Sequence, residues 1–520
     1  MNAAQVLLAG HGDARVALVC GGEAITRGDL RDAVARAASQ WHARGLRRGD
    51  RVAIRLPDGI DWVVAYLGAI WAGGVAVGVN PHVPADEWLH ILDAACFAFV
   101  LAERGDETPL PWRRHVVTRA DWRHDLAHAA PGAPLPMHAD EPALWVHSSG
   151  TSGHPKAVVH AHRAALTVER VGRERLGLTA EDRLYASSKL FFTYPLANAL
   201  LTGLKLGATV ILDPQWPTAA GVAATVVAHG ATVLFSVPAL YRNLAKEGMA
   251  GALAAAGVRV FVSAGEPLPP PLRESWQRQA GRTIVDGYGA SETLVLVLVD
   301  RDDGRGLRAS PGWSVTPQDG AAACAAPGRI LVRGPSVALG YWKRPDAQAE
   351  HFRDGGFAPS DLFAQRDDGG FAFAGREDSL VKVHGRWVDL VDLEQKFAGE
   401  CAGVVEAAAV AVPDADGVEA VALFFVAPPG ADTQALHRYA GRLPPHQRPR
   451  WLLRIDSLPR TATGKLVRRA LRERHGELAA HGESVLAPAA AGHAHTIAGV
   501  ATSLPPLDTH HVKARRSPAD

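Results

Sequence analysis

The chain has only four cysteines, three methionines and almost no net charge across its 520 residues. Cys20, Cys96, Cys324 and Cys401 are far apart and form no CxxC pair. Neither a disulfide framework nor a cysteine-bound zinc site is expected, and a reducing cytoplasm fits. Lys and Arg number 55 against 54 Asp and Glu, a formal charge of +1. No basic surplus exists to neutralise a phosphate backbone, so nucleic acid is not an expected partner. Long uncharged runs are also scarce. One stretch, Trp62 to Val79 (WVVAYLGAIWAGGVAVGV), approaches the roughly 20 residues a membrane span needs. Gly73-Gly74 divides it into a helical half and a Val-alternating half, which reads as a buried helix followed by a buried strand, with no membrane span. The first residues, MNAAQVLLAGHGDARVALVC, carry no basic group ahead of their apolar stretch, so no secretory leader is expected. His124 and His128, and His160 and His162, lack a third ligand at metal spacing, which disfavours a zinc site.

What is present describes a globular protein, with 47% hydrophobic and 21% charged residues. The length exceeds one compact core and suggests two to four domains. Thr26 can cap a helix that has Asp29 in its first turn and Gly45 at its end. A strand is expected at Arg51–Leu56. Further buried strands are expected at Thr209–Leu212, Val233–Ser236 and Val258–Ser263, with helices at Thr218–His229 and Pro271–Ala280. Such alternation predicts an α/β layered fold with substantial parallel sheet. After about residue 330 the chain becomes Gly-rich and strand-like. From Val404, two strands joined by the turn PDADG precede a helix at Thr433–Leu443 and another after Gly464, a small α+β unit. Residues 480–520, rich in Ala, His and Pro, read as a disordered tail.

Four segments carry chemistry. The first, HSSGTSGHPKA at 147–157, joins Ser148, Ser149, Gly150, Thr151, Ser152, Gly153 and Lys156. Glycines allow close backbone approach to a phosphate, hydroxyls and N–H groups donate to its oxygens, and the lysine adds a cation. A strand at Ala143–Val146 should precede the loop, and a helix should follow over Ala157–Leu166. The segment is not a P-loop, because Gly150 and Gly153 are too close and Ala157 follows the lysine. The plainer reading is an ordinary Ser/Gly loop. The second segment is Asp286-Gly-Tyr-Gly-Ala-Ser-Glu292, after the strand Thr283-Ile284-Val285. Tyr288 offers a face for a base and Glu292 a hard oxygen for Mg²⁺; a surface turn is the alternative. The third is Asp361, followed by Gly375-Arg376-Glu377-Asp378. A carboxylate can take both ribose hydroxyls and an arginine can assist; a surface ion pair is the alternative. The fourth is PRTATGK, ending at Lys465.

As an ordered set, these segments resemble the adenylate-forming (AMP-binding) superfamily of acyl-CoA synthetases, peptide-synthetase adenylation domains and luciferases. The Ser/Thr/Gly loop matches Ser148–Ala157. The Tyr-Gly-x-Thr-Glu element matches Tyr288–Glu292, the ribose aspartate matches Asp361, the hinge matches Gly375–Asp378 and the closing lysine motif matches Pro459–Lys465. The resemblance spans roughly residues 20–476. It implies a large multi-layered N-terminal domain with mixed sheets (1–377) and a small mobile α+β C-terminal domain (378–479), pivoting at Asp378. It implies ATP phosphates on Ser148–Lys156, Mg²⁺ on Glu292 and Thr151, and adenine between Tyr288 and Gly265-Glu266-Pro267. Asp286, Gly289 and Ser291 complete the nucleotide contacts, and Asp361 and Arg376 take the ribose. Lys465, with Glu292, is the implied catalytic pair, and Gly385 is implied in a pantetheine tunnel for coenzyme A. Two departures stand out: Ala157 replaces a glycine, and Pro359-Ser360 replaces Thr-Gly before Asp361.

The stretch Lys189-Leu-Phe-Phe-Thr-Tyr-Pro-Leu196 has no carboxylate to pair with an amino acid's ammonium group. Together with VSAGEPLP it is similar to benzoate- and hydroxybenzoate-CoA ligases. Lys189, Phe191, Phe192 and Tyr194, with Ala264 and Gly287, are the expected acid pocket, suited to a flat aromatic acid. Core aromatics on a helix are the alternative, and a short or medium-chain aliphatic acid stays open. The expected partners are a small carboxylic acid and CoA, with a carrier protein as the alternative acceptor.

Overall fold

The computed structural model describes residues 1–480 except 106–107, 109–111, 149–154, 304, 319–326, 378, 384–385, 402, 415–416, 429, 432–433 and 461–465. Two large sheets carry most of the chain. The first has nine strands in the order Arg308–Ala309, Leu298–Asp300, Ile284–Tyr288, Val260–Ala264, Val233–Ser236, Arg183–Ala186, Thr209–Leu212, Val16–Cys20 and Glu23–Thr26. Its six inner strands, from Ile284–Tyr288 to Val16–Cys20, are parallel. The second has seven strands in the order Gly340–Tyr341, Lys156–Ala161, Pro142–Ser148, Val75–Gly78, Arg51–Arg55, Phe99–Ala102 and Val116–Thr118. An antiparallel sheet follows, built around Gly328–Arg333, Asp361–Gln365 and Phe371–Arg376.

The helices between the big sheets explain the uncharged run. Ile60–Trp71 buries every residue from Trp62 to Trp71, because it lies inside the main core shared by both sheets. Its neighbour Arg27–Ala43 starts at Thr26, whose side chain accepts from the Asp29 N–H as the capping pattern predicts. The two helices touch at Gly68, where an added Cβ would sit 2.5 Å from the Ala37 Cβ. The second half of the run, Val75–Gly78, is a fully buried strand. Among the described residues, no helix is long and apolar enough to cross a membrane.

One expectation fails. Residues after the phosphate-loop candidate do not form a helix; Lys156–Ala161 is a strand, followed by a 3₁₀ turn at His162–Leu166. It pairs antiparallel with Pro142–Ser148 on one side and Gly340–Tyr341 on the other. Its side chains alternate: Val158 joins the main core, while Ala157 and Val159 join the core beneath the helix Ala85–Ala95. A β-branched strand buried on both faces reads as a short apolar run, which periodicity alone does not distinguish from helix.

The later part has cores of its own. A hairpin, Leu380–Val383 with Arg386–Asp389, precedes the sheet Glu406–Pro413, Glu419–Val426 and Trp451–Arg454. The helices Leu390–Glu400 and Arg468–Ala480 pack on it, and Gln434–Arg442 packs against the first of them. The two apolar clusters formed here draw their buried members from Val383 to Leu471 and share none with the clusters of the large sheets. The expected hinge, Asp378, and the expected tail, beyond 480, lie outside the described residues.

Candidate active site

The C-terminal end of the parallel strand Ile284–Tyr288 organises the site. Tyr288 is its last residue, and its hydroxyl donates to Asp361 Oδ2 at 2.6 Å. Asp361 opens the strand Asp361–Gln365 and pairs in register with Arg376, so the arginine Nη1 reaches Asp361 Oδ1 at 3.1 Å. A buried carboxylate thus stands between a phenol and a guanidinium, three groups distant in sequence. Burial first, and then the Asp361 charge, push the Tyr288 phenol well above its ordinary value, so it stays a donor. The ring packs edge-on against Phe363, at 4.8 Å between centroids.

Four residues on, Glu292 is buried and its Oε1 accepts from the Tyr341 hydroxyl at 2.6 Å. The Lys156 ammonium lies 4.7 Å above the ring of the same tyrosine. Tyr341 therefore links the lysine of the first motif to the glutamate of the second. Residues 149–154, including Ser149, Gly150, Thr151, Ser152 and Gly153, lie outside the described residues. At the loop's edge, Ser148 has a buried Oγ with no hydrogen-bond partner among the described residues. A phosphate oxygen would satisfy it. Glu292 gives one oxygen to Tyr341, and no cluster of three metal-binding side chains exists among the described residues. One carboxylate is a donor set that suits Mg²⁺ shared with substrate phosphates, since Mg²⁺ keeps most of its ligands as water and phosphate oxygens.

The turn between Tyr288 and Glu292 is held from behind. The Ser291 hydroxyl accepts from Thr193 at 3.1 Å, and Ser291 O lies 2.8 Å from His160 Nε2. Thr193 and Tyr341 were not singled out in the sequence, and His160 was weighed there only as a metal ligand. Tyr341 was the most accessible of them, sitting in the Gly-rich run GPSVALGYW. Gly289 is required by close approach: a Cβ there would lie 2.6 Å from Val295 O. On the neighbouring strand, Ala264 pairs with Gly287 and Ser263 with Asp286. Burial pushes the Asp286 carboxyl up to about 7, against the pull of Arg273. Gly265 then turns the chain with φ of 88°, exposing Gly265 and Glu266 and leaving Pro267 half-buried beside the end of that strand.

The aromatic stretch divides. Phe192, Thr193 and Tyr194 are half-buried, with the Tyr194 hydroxyl on Val262 O at 3.0 Å. Lys189 and Phe191 are buried and line a small cavity with Asp58, His82 and Trp216. There the Lys189 ammonium donates to Asp213 O at 2.7 Å. Burial lowers the Lys189 ammonium, and it pushes the neighbouring Asp58 carboxyl up to about 7. Gly385 and Lys465 lie outside the described residues.

The chain belongs to the AMP-binding enzyme family: the family model matches residues 6–342, and the AMP-binding enzyme C-terminal domain matches residues 395–465. Within it, the chain is 37% identical to the 3-hydroxybenzoate–CoA ligase of Aromatoleum sp. (strain CIB), over 88% of this chain and 93% of the relative. It is 35% identical to the 3-hydroxybenzoate–CoA/4-hydroxybenzoate–CoA ligase of Thauera aromatica, over 91% of this chain and 97% of the relative. The crystal structure of a benzoate CoA ligase from Burkholderia xenovorans LB400 superposes with a TM-score of 0.80 at 28% identity, covering 91% of this chain and all of that one.

Proposed function

We propose that this enzyme activates an aromatic carboxylic acid with ATP and transfers the resulting aroyl group to coenzyme A. The acid carboxylate attacks the α-phosphate and expels pyrophosphate. The CoA thiol then attacks the aryl-adenylate carbonyl and expels AMP. The observation that carries this reading is the convergence of Tyr288, Asp361 and Arg376 beside Glu292 and Lys156, from four separate stretches of the chain. The aromatic class is supported by the hydroxybenzoate–CoA ligases that resemble the chain over most of its length.

Each group has a physical task. Asp361, already accepting on both oxygens, exchanges those contacts for the ribose hydroxyls, with Arg376 beside it. Asp286, Tyr288 and the Gly265–Pro267 turn frame the adenine, with Gly289 and Ser291 lining the turn below. Lys156 and Ser148 take phosphate oxygens. Glu292 and Thr151 would hold Mg²⁺ together with those phosphates, and the ion would supply positive charge where two anions must meet. Lys465 provides the second cation, between the acid carboxylate and the α-phosphate. Phe192 and Tyr194, with Ala264 and Gly287, form the wall for a flat ring; Lys189 and Phe191 support it from the adjoining cavity. Residues 1–377 hold acid and ATP, and residues 378–479 pivot at Asp378 to bring Gly385 to the site for the thiol step.

The test is a panel of benzoates and aliphatic acids with ATP, Mg²⁺ and CoA, read by pyrophosphate release and by thioester formation. An aromatic acid should give both products. Turnover of aliphatic acids alone would overturn the substrate class. Thioester on a carrier protein but none with CoA would overturn the acceptor.

A further inference from the structure

A cavity of about 230 Å³ lies on the face of the 142–161 hairpin that is covered by the helix Ala85–Ala95. Ile91, Ala95 and Trp342 give it apolar walls, and Lys156, Lys343 and Arg344 line it as well; no carboxylate does. Among the described residues, none of the three cations forms an ion pair. The Lys156 and Lys343 ammonium groups rest on the rings of Tyr341 and Trp342, at 4.7 and 5.5 Å. The Lys343 ammonium donates to the Cys96 Sγ at 3.8 Å. Elsewhere comparable arginines are tied to carboxylates, as Arg259 is to Asp182 and Arg468 to Glu394. The backbone of Lys343 also adopts φ of 51°, a left-handed conformation costing roughly 1 kcal/mol for a residue with a Cβ. His147 completes the lining, held neutral by burial and by His90.

Three cations with no carboxylate partner among the described residues, around a partly open cavity where Lys343 itself is exposed, favour a polyanion over a monoanion, because each charge adds attraction. We propose that this cavity is a second anion site that takes inorganic pyrophosphate, the leaving group of the adenylation step. Lys156 stands at the junction, ending the loop given to the ATP phosphates and lining the cavity behind it. This source of the ligand rests on the proposed function. Drawing pyrophosphate behind the hairpin separates it from the acyl-adenylate and opposes reversal.

The test uses the full chain, titrated calorimetrically with sodium pyrophosphate in the absence of acid and CoA, so it stands whichever acid is activated. The Lys343→Ala/Arg344→Ala variant should bind pyrophosphate at least tenfold more weakly. Pyrophosphate inhibition of acid-dependent AMP formation should weaken by the same factor, with KM for ATP unchanged. Unchanged affinity overturns the site. An equal rise in KM for ATP overturns the assignment to free product and gives the cavity to ATP's own β,γ-phosphates. Equal affinity for sulfate overturns the selection of pyrophosphate. Should the variant not fold, the wild-type His147 imidazole resonance should move on pyrophosphate addition, and a stationary resonance at saturation overturns the proposal.

Discussion

At the residue scale, His160 shows how a buried side chain can hold the turn between Tyr288 and Glu292 from behind. It is fully buried between Ser291 O at 2.8 Å and Ser336 O at 3.2 Å. A neutral imidazole has one N–H, so it donates to only one of these carbonyls, and the shorter contact assigns it to Ser291 O. Burial holds the imidazole neutral, down to about 4 from 6.5. Between those two values the unfolded chain binds a proton that the folded chain does not, so this group's contribution to stability is lost as pH falls through that window. At about 1.4 kcal/mol per pH unit, the stability advantage of wild type over His160→Gln should shrink by about 2 kcal/mol from pH 7 to pH 5. Urea unfolding of both proteins at the two pH values measures it, and a pH-independent gap would contradict the buried neutral assignment.

At the element scale, the strand Ile284–Tyr288 and the turn after it depend on two glycines with different neighbours. A Cβ at Gly289 would meet Val295 O, a backbone atom with no rotamer to change, at 2.6 Å. A Cβ at Gly287 would meet Leu296 Cδ1, the far end of a side chain, also at 2.6 Å. Gly289→Ala should therefore cost about 1–3 kcal/mol, the usual range for overpacking, and Gly287→Ala less. Thermal unfolding of the two variants decides this; a larger loss at Gly287 would refute the argument. Gly289→Ala should also slow pyrophosphate release, because it displaces the segment between Tyr288 and Glu292. The hairpin 142–161 makes the complementary point. Its second strand was expected as helix, and cross-strand pairing on both edges made it a strand.

At the scale of the whole molecule, the described cores separate into those of the large sheets and those after Val383. Separate cores are what a pivoting C-terminal unit needs, since rotation then breaks few buried contacts. On that reading Lys465 serves one half-reaction only. Lys465→Ala should nearly abolish adenylation, measured by acid-dependent pyrophosphate release, while thioester formation from supplied aryl-adenylate and CoA stays within a few-fold of wild type. Equal loss of both steps would refute the division of labour.

The sequence alone determined the α/β alternation, because strand and helix periods and caps such as Thr26 act over a few residues. It also singled out Glu292, Asp361 and Arg376 as candidate site residues, since glycines and charges at motif spacing are local features. Only the tertiary structure decided what those groups touch. That Tyr288 and Arg376 share Asp361, and that Tyr341 joins Lys156 to Glu292, depends on pairing between strands far apart in the chain. The split of the aromatic stretch, with Phe191 in one cavity and Tyr194 against Val262, depends on where two sheets meet. The 156–161 strand has the same cause: a short apolar run has no preferred period, and its partners across the sheet supply one.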